Sequence, residues 1–309
     1  MKALVTGVDG FAGPYLLNEL LLKGYEVTGT YKYQVRQKLD NDAKLLRLDI
    51  LNIKSAEKVF HKTKPDVVFH LAGISSPKFS GQNPKLTMKV NAGGTENILG
   101  AVEKIIPDAV VMLACSAYEY GIPKYVPITE DHPLSPSTIY GKSKMEAEKV
   151  GLEYSRKGLK VLLLRGFNHI GPNQSEEFVC ASFAKQIAEI ESGKTDSVKI
   201  GDLSTKRDFT DVRDVVRAYA MSIEKCDSGV PYNVCSGNSY SMRQILDMLI
   251  GMSSSKIKIT EDPSRMRKSD IPELLGSSRK FSTKTGWHPK ITIEKSIADI
   301  LDYWRRLVK

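Results

Sequence analysis

Cysteine and histidine are scarce in this sequence of 309 residues, and their spacing excludes several kinds of site. The four cysteines are Cys115, Cys180, Cys226 and Cys235. None belongs to a Cys-x-x-Cys pair, so neither a zinc knuckle nor a disulfide framework is indicated, and we interpret them as small buried hydrophobic residues. The five histidines also lack the spacing of metal ligands. We therefore predict no metal site.

Long apolar runs are absent as well. No segment approaches the roughly 18–20 consecutive apolar residues that a membrane-spanning helix needs. The apolar start, residues 1–7, is too short for a signal peptide and turns at once into glycines. These absences predict a cytoplasmic protein with no membrane contact.

The sequence has no basic tail and no repeat of basic and aromatic residues. Its formal charge is +9, from 45 Lys and Arg against 36 Asp and Glu, and the two signs are interleaved along the chain. Charge alone is a weak sign of nucleic-acid binding, so we predict no nucleic-acid partner. An anionic substrate together with an anionic cofactor explains the excess better.

Short apolar runs alternate with helical patterns over the first half of the chain. The predicted strands are residues 2–6, 26–30, 44–48, 66–71, 110–114 and 160–164. The predicted helices between them are residues 15–22, 53–62, 84–104 and 140–156. This alternation indicates an α/β fold with a doubly wound parallel sheet, whose ligands bind at the carboxyl ends of the strands.

The pattern changes after residue 166. Predicted helices at 176–192, 212–225, 242–250 and 293–307 are separated by short strands and by loops rich in Gly, Pro, Ser and charge. We predict a smaller, irregular α/β substrate lobe at 167–309, beside a dinucleotide-binding domain at 1–166. The chain is expected to cross between the two more than once, for example around 205–240.

A glycine-rich segment separates the first predicted strand from the first helix. It begins at Thr6 and contains Gly7, Asp9, Gly10, Phe11, Ala12 and Gly13. Glycines allow a tight turn and a close approach to a pyrophosphate, and a helix N-terminus offers free N–H groups. Pro14 suits a first helical turn because its missing N–H costs nothing there. We predict a dinucleotide site; the alternative is a plain glycine turn.

The end of the second strand bears on the choice of cofactor. An acid there binds the ribose 2′-hydroxyl of NAD. This sequence has Thr30, Lys32 and Arg36 instead, and its first acid in this stretch is Asp40. We predict a preference for NADP(H), with NAD(H) as the alternative. Asp49 and Ile50, after the third strand, are predicted to contact the adenine or to form a strand-end turn.

Tyr140 and Lys144 stand four residues apart in a predicted helix and therefore share one face. An ammonium group beside a phenol stabilises the phenolate, so that Tyr140 can exchange a proton near neutral pH. Ser116 follows the apolar run 110–114 and can donate to a substrate carbonyl oxygen. We predict Ser116, Tyr140 and Lys144 as the catalytic group. Ser116 as a simple strand terminator is the alternative.

Together these motifs resemble the extended short-chain dehydrogenase/reductase family, whose fold is a Rossmann sheet with a substrate lobe. Segment 6–13, Leu71-Ala72-Gly73, Asn91, Ser116 and Tyr140-x-x-x-Lys144 carry the resemblance, which covers the whole chain. The resemblance implies that Leu71, Ala72, Gly73, Asn91, Tyr140 and Lys144 also contact the cofactor. It further implies a homodimer formed through the helices at 84–104 and 140–156.

The second half resembles one branch of that family, the GDP-mannose 4,6-dehydratases and their partner reductases. Segments 165–172, 207–212, 232–237 and 262–267 carry this likeness. It implies a GDP-linked sugar as substrate, with arginine forks for the diphosphate. The implied substrate contacts are Ser75, Ser116, Ala117, Tyr118, Asn168, Phe178, Val179, Lys199, Arg207, Arg267 and Asp270.

This chain differs from the dehydratases of that branch at one position, and the difference bears on whether it is a dehydratase or a reductase. Dehydratases carry a glutamate two residues after the catalytic Ser or Thr, where this chain has Tyr118. A phenol is a poor base at neutral pH, and in an extended segment Glu119 points to the opposite face. We expect a reductase that converts the 4-oxo group of GDP-4-dehydro-6-deoxy-D-mannose, giving GDP-D-rhamnose. A 4,6-dehydratase, a 4-epimerase and a non-catalytic dinucleotide sensor or scaffold remain as alternatives.

Overall fold

The structure, a computed structural model, describes residues 1–35, 39, 43–266 and 271–308. Its strands are β1 (Lys2–Thr6), β2 (Glu26–Tyr31), β3 (Lys44–Arg47), β4 (Val67–His70), β5 (Val110–Ser116), β6 (Lys160–Gly166), β7 (Asn168–Ile170), β8 (Ser197–Ile200), β9 (Lys206–Asp211), β10 (Pro231–Val234), β11 (Ser239–Ser241), β12 (Lys258–Glu261) and β13 (Glu273–Leu274). Its helices are α1 (Gly13–Leu22), α2 (Ile53–Thr63), α3 (Pro77–Gln82), α4 (Pro84–Met88), α5 (Gly94–Ile105), α6 (Ile139–Arg156), α7 (Val179–Glu191), α8 (Val212–Lys225), α9 (Met242–Gly251), α10 (Arg279–Thr285) and α11 (Ile293–Val308).

Seven strands of the described residues form one parallel sheet in the order β10-β6-β5-β4-β1-β2-β3. The order reverses at β1, because the chain winds outward first through β2 and β3 and then through β4, β5 and β6. Such a reversal opens a crevice at the carboxyl ends of the central strands. The end of β1 lies in this crevice, between the ends of β2 and β4.

The central strands are apolar on both faces because helices cover both faces. Leu4 and Val5 are fully buried on opposite sides of β1. Val5 lies in one core with Leu20 of α1 and Tyr219 of α8, and Leu4 lies in a second core with Phe60 of α2. Burial of each such side chain contributes roughly 1.5–3 kcal/mol, so the two cores hold the sheet rigid beneath the crevice.

The chain after residue 166 builds the smaller part and also returns to the main sheet. Strands β7, β9, β11 and β13 form a second small sheet, and α7, α9 and α11 enclose a separate apolar core. In contrast, α8 packs against α1, and β10 pairs with β6 at the edge of the main sheet. The edge strand β10 of the main sheet therefore comes from the chain after residue 166.

The predicted fold class is confirmed, and each predicted strand of the sheet is found with ends that agree to within two residues. The sequence did not predict β10 as a member of this sheet, since the segment has only four residues and includes Asn233, so it cannot be distinguished from a loop. The predicted helix 176–192 was wrong at its start: Phe178 is extended, so α7 begins at Val179. Every helix of the described residues is too short or too polar to span a membrane.

Candidate active site

The glycine-rich segment lies at the carboxyl end of β1 and leads into α1. Gly13, the first residue of α1, packs so closely that a Cβ atom there would lie 2.3 Å from the carbonyl oxygen of Val8. Phe11 stacks in parallel on the imidazole of His169, with ring centroids 5.8 Å apart. The segment is thus a cradle of backbone at a helix N-terminus, which suits the pyrophosphate of a dinucleotide.

The predicted cofactor contacts at the ends of β2 and β3 differ in their availability. Lys32 Nζ lies 3.3 Å from Asp49 Oδ1, and both side chains remain partly exposed. The side chain of Thr30 is buried, and its hydroxyl donates to the carbonyl oxygen of Val5. Thr30 therefore does not offer its hydroxyl to a 2′-phosphate, contrary to the prediction. Ile50 is also buried, and Arg36 lies outside the described residues.

Asn91 holds the loop that follows β4. Its Oδ1 accepts from the N–H of Ile74 at 2.8 Å, and its Nδ2 donates to the Ile74 carbonyl oxygen and to Ser143 Oγ. It lies in a π-helical turn (Lys89–Gly93) between α4 and α5. Asn91 thus fastens Ile74, in the loop after β4, to the helix that carries Tyr140. Its predicted contact with the cofactor stays a prediction.

His70, one of the five histidines without metal-ligand spacing, lies in a chain of hydrogen bonds behind this loop. Thr95 Oγ1 donates to the carbonyl oxygen of Asn91, so it accepts from His70 Nε2, and His70 Nδ1 then accepts from Thr6 Oγ1 at 2.8 Å. Burial lowers the pKa of His70 to about 3, so the ring is neutral. This chain connects the end of β1 with Asn91.

Ser116 is the last residue of β5 and starts a tight turn. Its Oγ accepts from the N–H of Tyr118, and Oε1 of Glu119 accepts from the N–H of Ser116 at 2.7 Å. This reciprocal capping closes residues Ala117–Glu119 into a 3₁₀ turn. The segment after Ser116 is therefore not extended. Glu119 is fully buried beneath the turn.

Tyr140 lies in the first turn of α6, which Thr138 caps by accepting from the N–H of Gly141. The Ser116 side chain lies near the Tyr140 hydroxyl and acts to lower the pKa of Tyr140. Although the Tyr140 ring is partly exposed, burial around its hydroxyl raises its pKa to about 12, and Ser116 opposes this shift. The ammonium group of Lys144 donates to the carbonyl oxygen of Ala114. The predicted lowering of the Tyr140 pKa is therefore not found.

Gly141 sets the distance between α6 and the Ser116 turn, because a Cβ atom there would lie 2.3 Å from the carbonyl oxygen of Tyr118. We expect Gly141→Ala to push the start of α6 away from Ser116 and to lower kcat. Overpacking of this kind costs about 1–3 kcal/mol of stability. Urea unfolding and steady-state kinetics measure both effects.

The matched control for this prediction is Gly251→Ala, in α9, where a Cβ atom has no heavy atom within 4 Å. It should leave kcat unchanged and the stability equal or slightly higher, since alanine favours a helix. A Gly141→Ala variant that behaved like this control would contradict the close packing of α6 against the turn.

Some of the predicted substrate residues lie near the catalytic turn, and the others are spread over the second half of the chain. Around the Ser116 turn, the Tyr118 ring meets the Tyr140 ring edge-on with centroids 5.7 Å apart. Asn168 Oδ1 is buried and has no hydrogen-bond partner among the described residues, so it can accept from a ligand. The Ala117 side chain instead packs in a buried apolar cluster, so its predicted contact with substrate does not involve its methyl group.

Arg207 is predicted to form a diphosphate fork, but its guanidinium group forms hydrogen bonds within the protein. Its side chain is 5% exposed, and Nη1 donates to the carbonyl oxygen of Ile271 at 2.7 Å. The neighbouring Asp208 accepts from the N–H groups of Ser236 and Gly237 and so brings together two of the segments that carried the family resemblance.

The other predicted substrate residues are more dispersed. Ser75 and Lys199 are exposed, and Phe178 and Val179 are half-buried at the start of α7. The backbone N–H and carbonyl groups of Lys199 are bonded to the Gln186 side chain. Arg267 and Asp270 lie outside the described residues.

A cluster of ligand-type atoms lies behind Ser116. Atoms of Cys115, Glu119 and Glu148 lie within 4.8 Å of one another, and all three residues are buried. Arg165 donates from Nε and Nη2 to both oxygens of Glu148, at 2.8 and 2.5 Å. Because the Arg165 guanidinium group neutralises Glu148 and occupies both of its oxygens, we interpret the Arg165–Glu148 contact as an ion pair. The absence of a metal site stays a prediction.

Sequence reasoning missed this cluster. Glu148 stands four residues after Lys144 on α6, and therefore on the same helix face as Tyr140 and Lys144. That spacing was a signal that could have been used. The pairing with Arg165, at the end of β6, had no local signal because the two residues are joined only when α6 packs on the sheet.

The comparison with known proteins agrees with this geometry. Residues 4–300 match the family described as GDP-mannose 4,6 dehydratase. The chain belongs to this family. The GDP-6-deoxy-D-mannose reductase of Pseudomonas aeruginosa is 36% identical over 249 residues, which cover 79% of this chain and 82% of that protein. The GDP-6-deoxy-D-talose 4-dehydrogenase of Aggregatibacter actinomycetemcomitans is 28% identical and covers 100% of this chain and 99% of its own.

Among solved structures, RMD from Pseudomonas aeruginosa in complex with NADPH superposes with a TM-score of 0.87. It is 32% identical and covers 99% of both chains. The protein is thus an NAD(P)-dependent enzyme of the extended short-chain dehydrogenase/reductase type, and a nicotinamide dinucleotide is its cofactor. The cradle at Gly13 is suited to that cofactor in its shape and in its helix N-terminus.

Proposed function

We propose that this enzyme reduces the 4-oxo group of GDP-4-dehydro-6-deoxy-D-mannose and releases GDP-D-rhamnose. The observation that carries the proposal is the identity and setting of the two residues after Ala117. Tyr118 stands where the dehydratases of the family carry a glutamate, and its ring lies against Tyr140. Glu119 is buried and bonded to Ser116, so it is not placed to remove a proton from a sugar.

The proposed proton donor is Tyr140. When the cofactor is bound it supplies the hydride that reduces C4. Tyr140 donates its phenolic proton to the oxygen on C4, and Ser116 Oγ holds that oxygen by a hydrogen bond. Tyr140 is then a phenolate, which the Lys144 ammonium on the same helix face stabilises until solvent returns the proton. The hydride and this proton together convert the carbonyl to an alcohol.

The proposal includes a preference for NADPH over NADH. The end of β2 offers Lys32 and no acid within residues 30–33, which favours a 2′-phosphate over a free 2′-hydroxyl. The solved structure of the Pseudomonas aeruginosa relative in complex with NADPH supports the same choice. Asp49 neutralises part of the Lys32 charge, so some use of NADH is compatible with the site.

The proposal also covers the organisation of the chain. Residues 1–166 form the dinucleotide-binding part and residues 167–309 the part that binds the GDP-linked sugar, with a return to the main sheet at α8 and β10. The proposal includes a homodimer through the helices at 84–104 and 140–156, as the family resemblance implies.

The test is an NADPH-oxidation assay with freshly prepared GDP-4-dehydro-6-deoxy-D-mannose, run beside GDP-mannose without added reductant. We expect NADPH consumption only with the oxo-sugar, slower consumption with NADH, and an NMR spectrum of the product that matches GDP-D-rhamnose. Conversion of GDP-mannose without reductant would identify a 4,6-dehydratase. A product with the opposite C4 configuration would keep the reduction and overturn the named product. A protein that binds NADPH but converts neither sugar would support a sensor or scaffold.

A further inference from the structure

Two buried carboxyl groups lie directly beneath the Ser116 turn. Glu119 and Glu148 are 0% and 1% exposed, and oxygen atoms of the two lie within 4.8 Å of each other. Two ionised carboxylates so close together in the interior repel each other strongly. The arrangement therefore requires either a second cation in contact with both or a proton on one of them.

The hydrogen bonds of the two carboxyl groups differ, and they favour a proton on Glu119. Arg165 donates to both oxygens of Glu148, which suits an ionised carboxylate. Glu119 receives the N–H of Ser116 on Oε1. Its Oε2 is buried and has no donor among the described residues. A hydrogen atom on Oε2 makes it a donor to the adjacent Glu148 and removes this unsatisfied buried oxygen.

The charges around the pair agree with this assignment. Burial raises the pKa of Glu119 well above its usual value and the charge of Glu148 adds to this, while Arg165 and Lys144 oppose it. Burial alone acts to raise the pKa of Glu148 too, but the hydrogen bond and charge of Arg165 lower it overall. The other titratable groups facing the pair are the Cys115 thiol and the phenols of Tyr120 and Tyr140.

We propose that Glu119 is a neutral acid in the working enzyme, that it shares its proton with Glu148, and that it is the positioning residue for Ser116. Its neutral carboxyl group binds the Ser116 N–H and closes the turn that presents Ser116 Oγ to Tyr140. A neutral Glu119 also suits the proton donor, because a negative charge there would add to the rise that burial causes in the pKa of Tyr140. The positioning part rests on the proposed reductase activity, whereas the protonation of Glu119 does not.

Two variants of Glu119 test the proposal. Glu119→Leu removes the acceptor for Ser116 N–H, and we expect kcat to fall by about 10- to 100-fold, with KM and NADPH affinity preserved, because Ser116 is misplaced. Glu119→Gln is the conservative variant: its amide oxygen accepts from Ser116 and its NH₂ group donates to Glu148, as the neutral acid does. We expect Glu119→Gln to rescue kcat, the stability and the shape of the pH profile.

Infrared difference spectroscopy supplies a readout that needs no substrate. The carbonyl band of a protonated carboxyl group should be present in the wild-type protein at neutral pH and absent from Glu119→Gln. A wild-type spectrum without this band overturns the neutral acid, even if Glu119→Leu does not fold. A Gln variant as impaired in kcat and stability as the Leu variant overturns it as well. If the enzyme proved to act on another substrate, the infrared and urea-unfolding results would still decide the protonation.

Discussion

The Tyr140→Phe variant is expected to bind NADPH as the wild-type protein does and to lose about 10²- to 10⁴-fold in kcat, the range that general acid catalysis contributes. The reason is that the substitution removes only the phenolic hydroxyl, which lies near Ser116 and is the proposed proton donor. The ring, which packs edge-on against Tyr118, remains. Equilibrium binding of NADPH and steady-state reduction of the oxo-sugar measure the two quantities separately.

Tyr154→Phe on the same helix is the matched control, since it removes a hydroxyl far along α6 from the catalytic turn. It should leave kcat and NADPH binding unchanged. The pH dependence adds a second check on Tyr140. Because its pKa is raised to about 12, the phenol stays protonated and reduction should not fall with rising pH until that pKa is approached. Near-wild-type turnover by Tyr140→Phe would exclude Tyr140 as the proton donor.

The Arg165→Met variant is expected to have a free energy of unfolding lower by about 3–5 kcal/mol, the usual cost of removing one partner of a buried ion pair. Arg165 is 4% exposed, and its guanidinium group binds both oxygens of Glu148 and also donates to the hydroxyl of Tyr120. Without it, two buried carboxyl groups are left with no cation in contact. Urea-induced unfolding followed by circular dichroism measures the loss.

The control is Lys104→Met, which breaks an exposed ion pair with Glu57 and should change the stability little. The two variants should also respond differently to pH. The folded-state pKa of Glu148 is lowered, so the stabilisation from its pair with Arg165 is present above the unfolded-state pKa and is lost as the pH falls through the folded-state value. The gap between wild type and Arg165→Met should therefore narrow in acid. A gap that is small at neutral pH would show that Arg165 is not needed to compensate these acids.

The sequence by itself determined the features that depend on neighbouring residues. The glycines after β1 and Pro14 at the start of α1 required a tight turn into a helix, and that turn is present. The spacing of Tyr140 and Lys144 placed both on one face of α6, because helix geometry repeats every 3.6 residues. The apolar runs of β1 and β5 predicted buried parallel strands for the same local reason.

Tertiary structure decided the features in which distant segments meet. Nothing near Thr30 in the sequence indicates that its hydroxyl donates to Val5, and nothing near Arg207 indicates that it binds the carbonyl oxygen of Ile271. In both cases a polar group that a ligand could use is occupied by the backbone of another segment. Only the fold decides whether such a group bonds to a ligand or to the protein, because a buried polar group bonds to a partner that lies within reach.

The buried acids Glu119 and Glu148 show most clearly which features the local sequence determines and which the tertiary structure determines. The sequence shows Glu119 three residues after Ser116 and Glu148 on the helix of Tyr140, but nothing near either residue indicates that it is buried. Packing α6 against β5 and β6 buries both acids around Arg165 and behind the catalytic turn. Burial removes the water that would solvate two negative charges, so the fold, and not the local sequence, decides which acid keeps its proton.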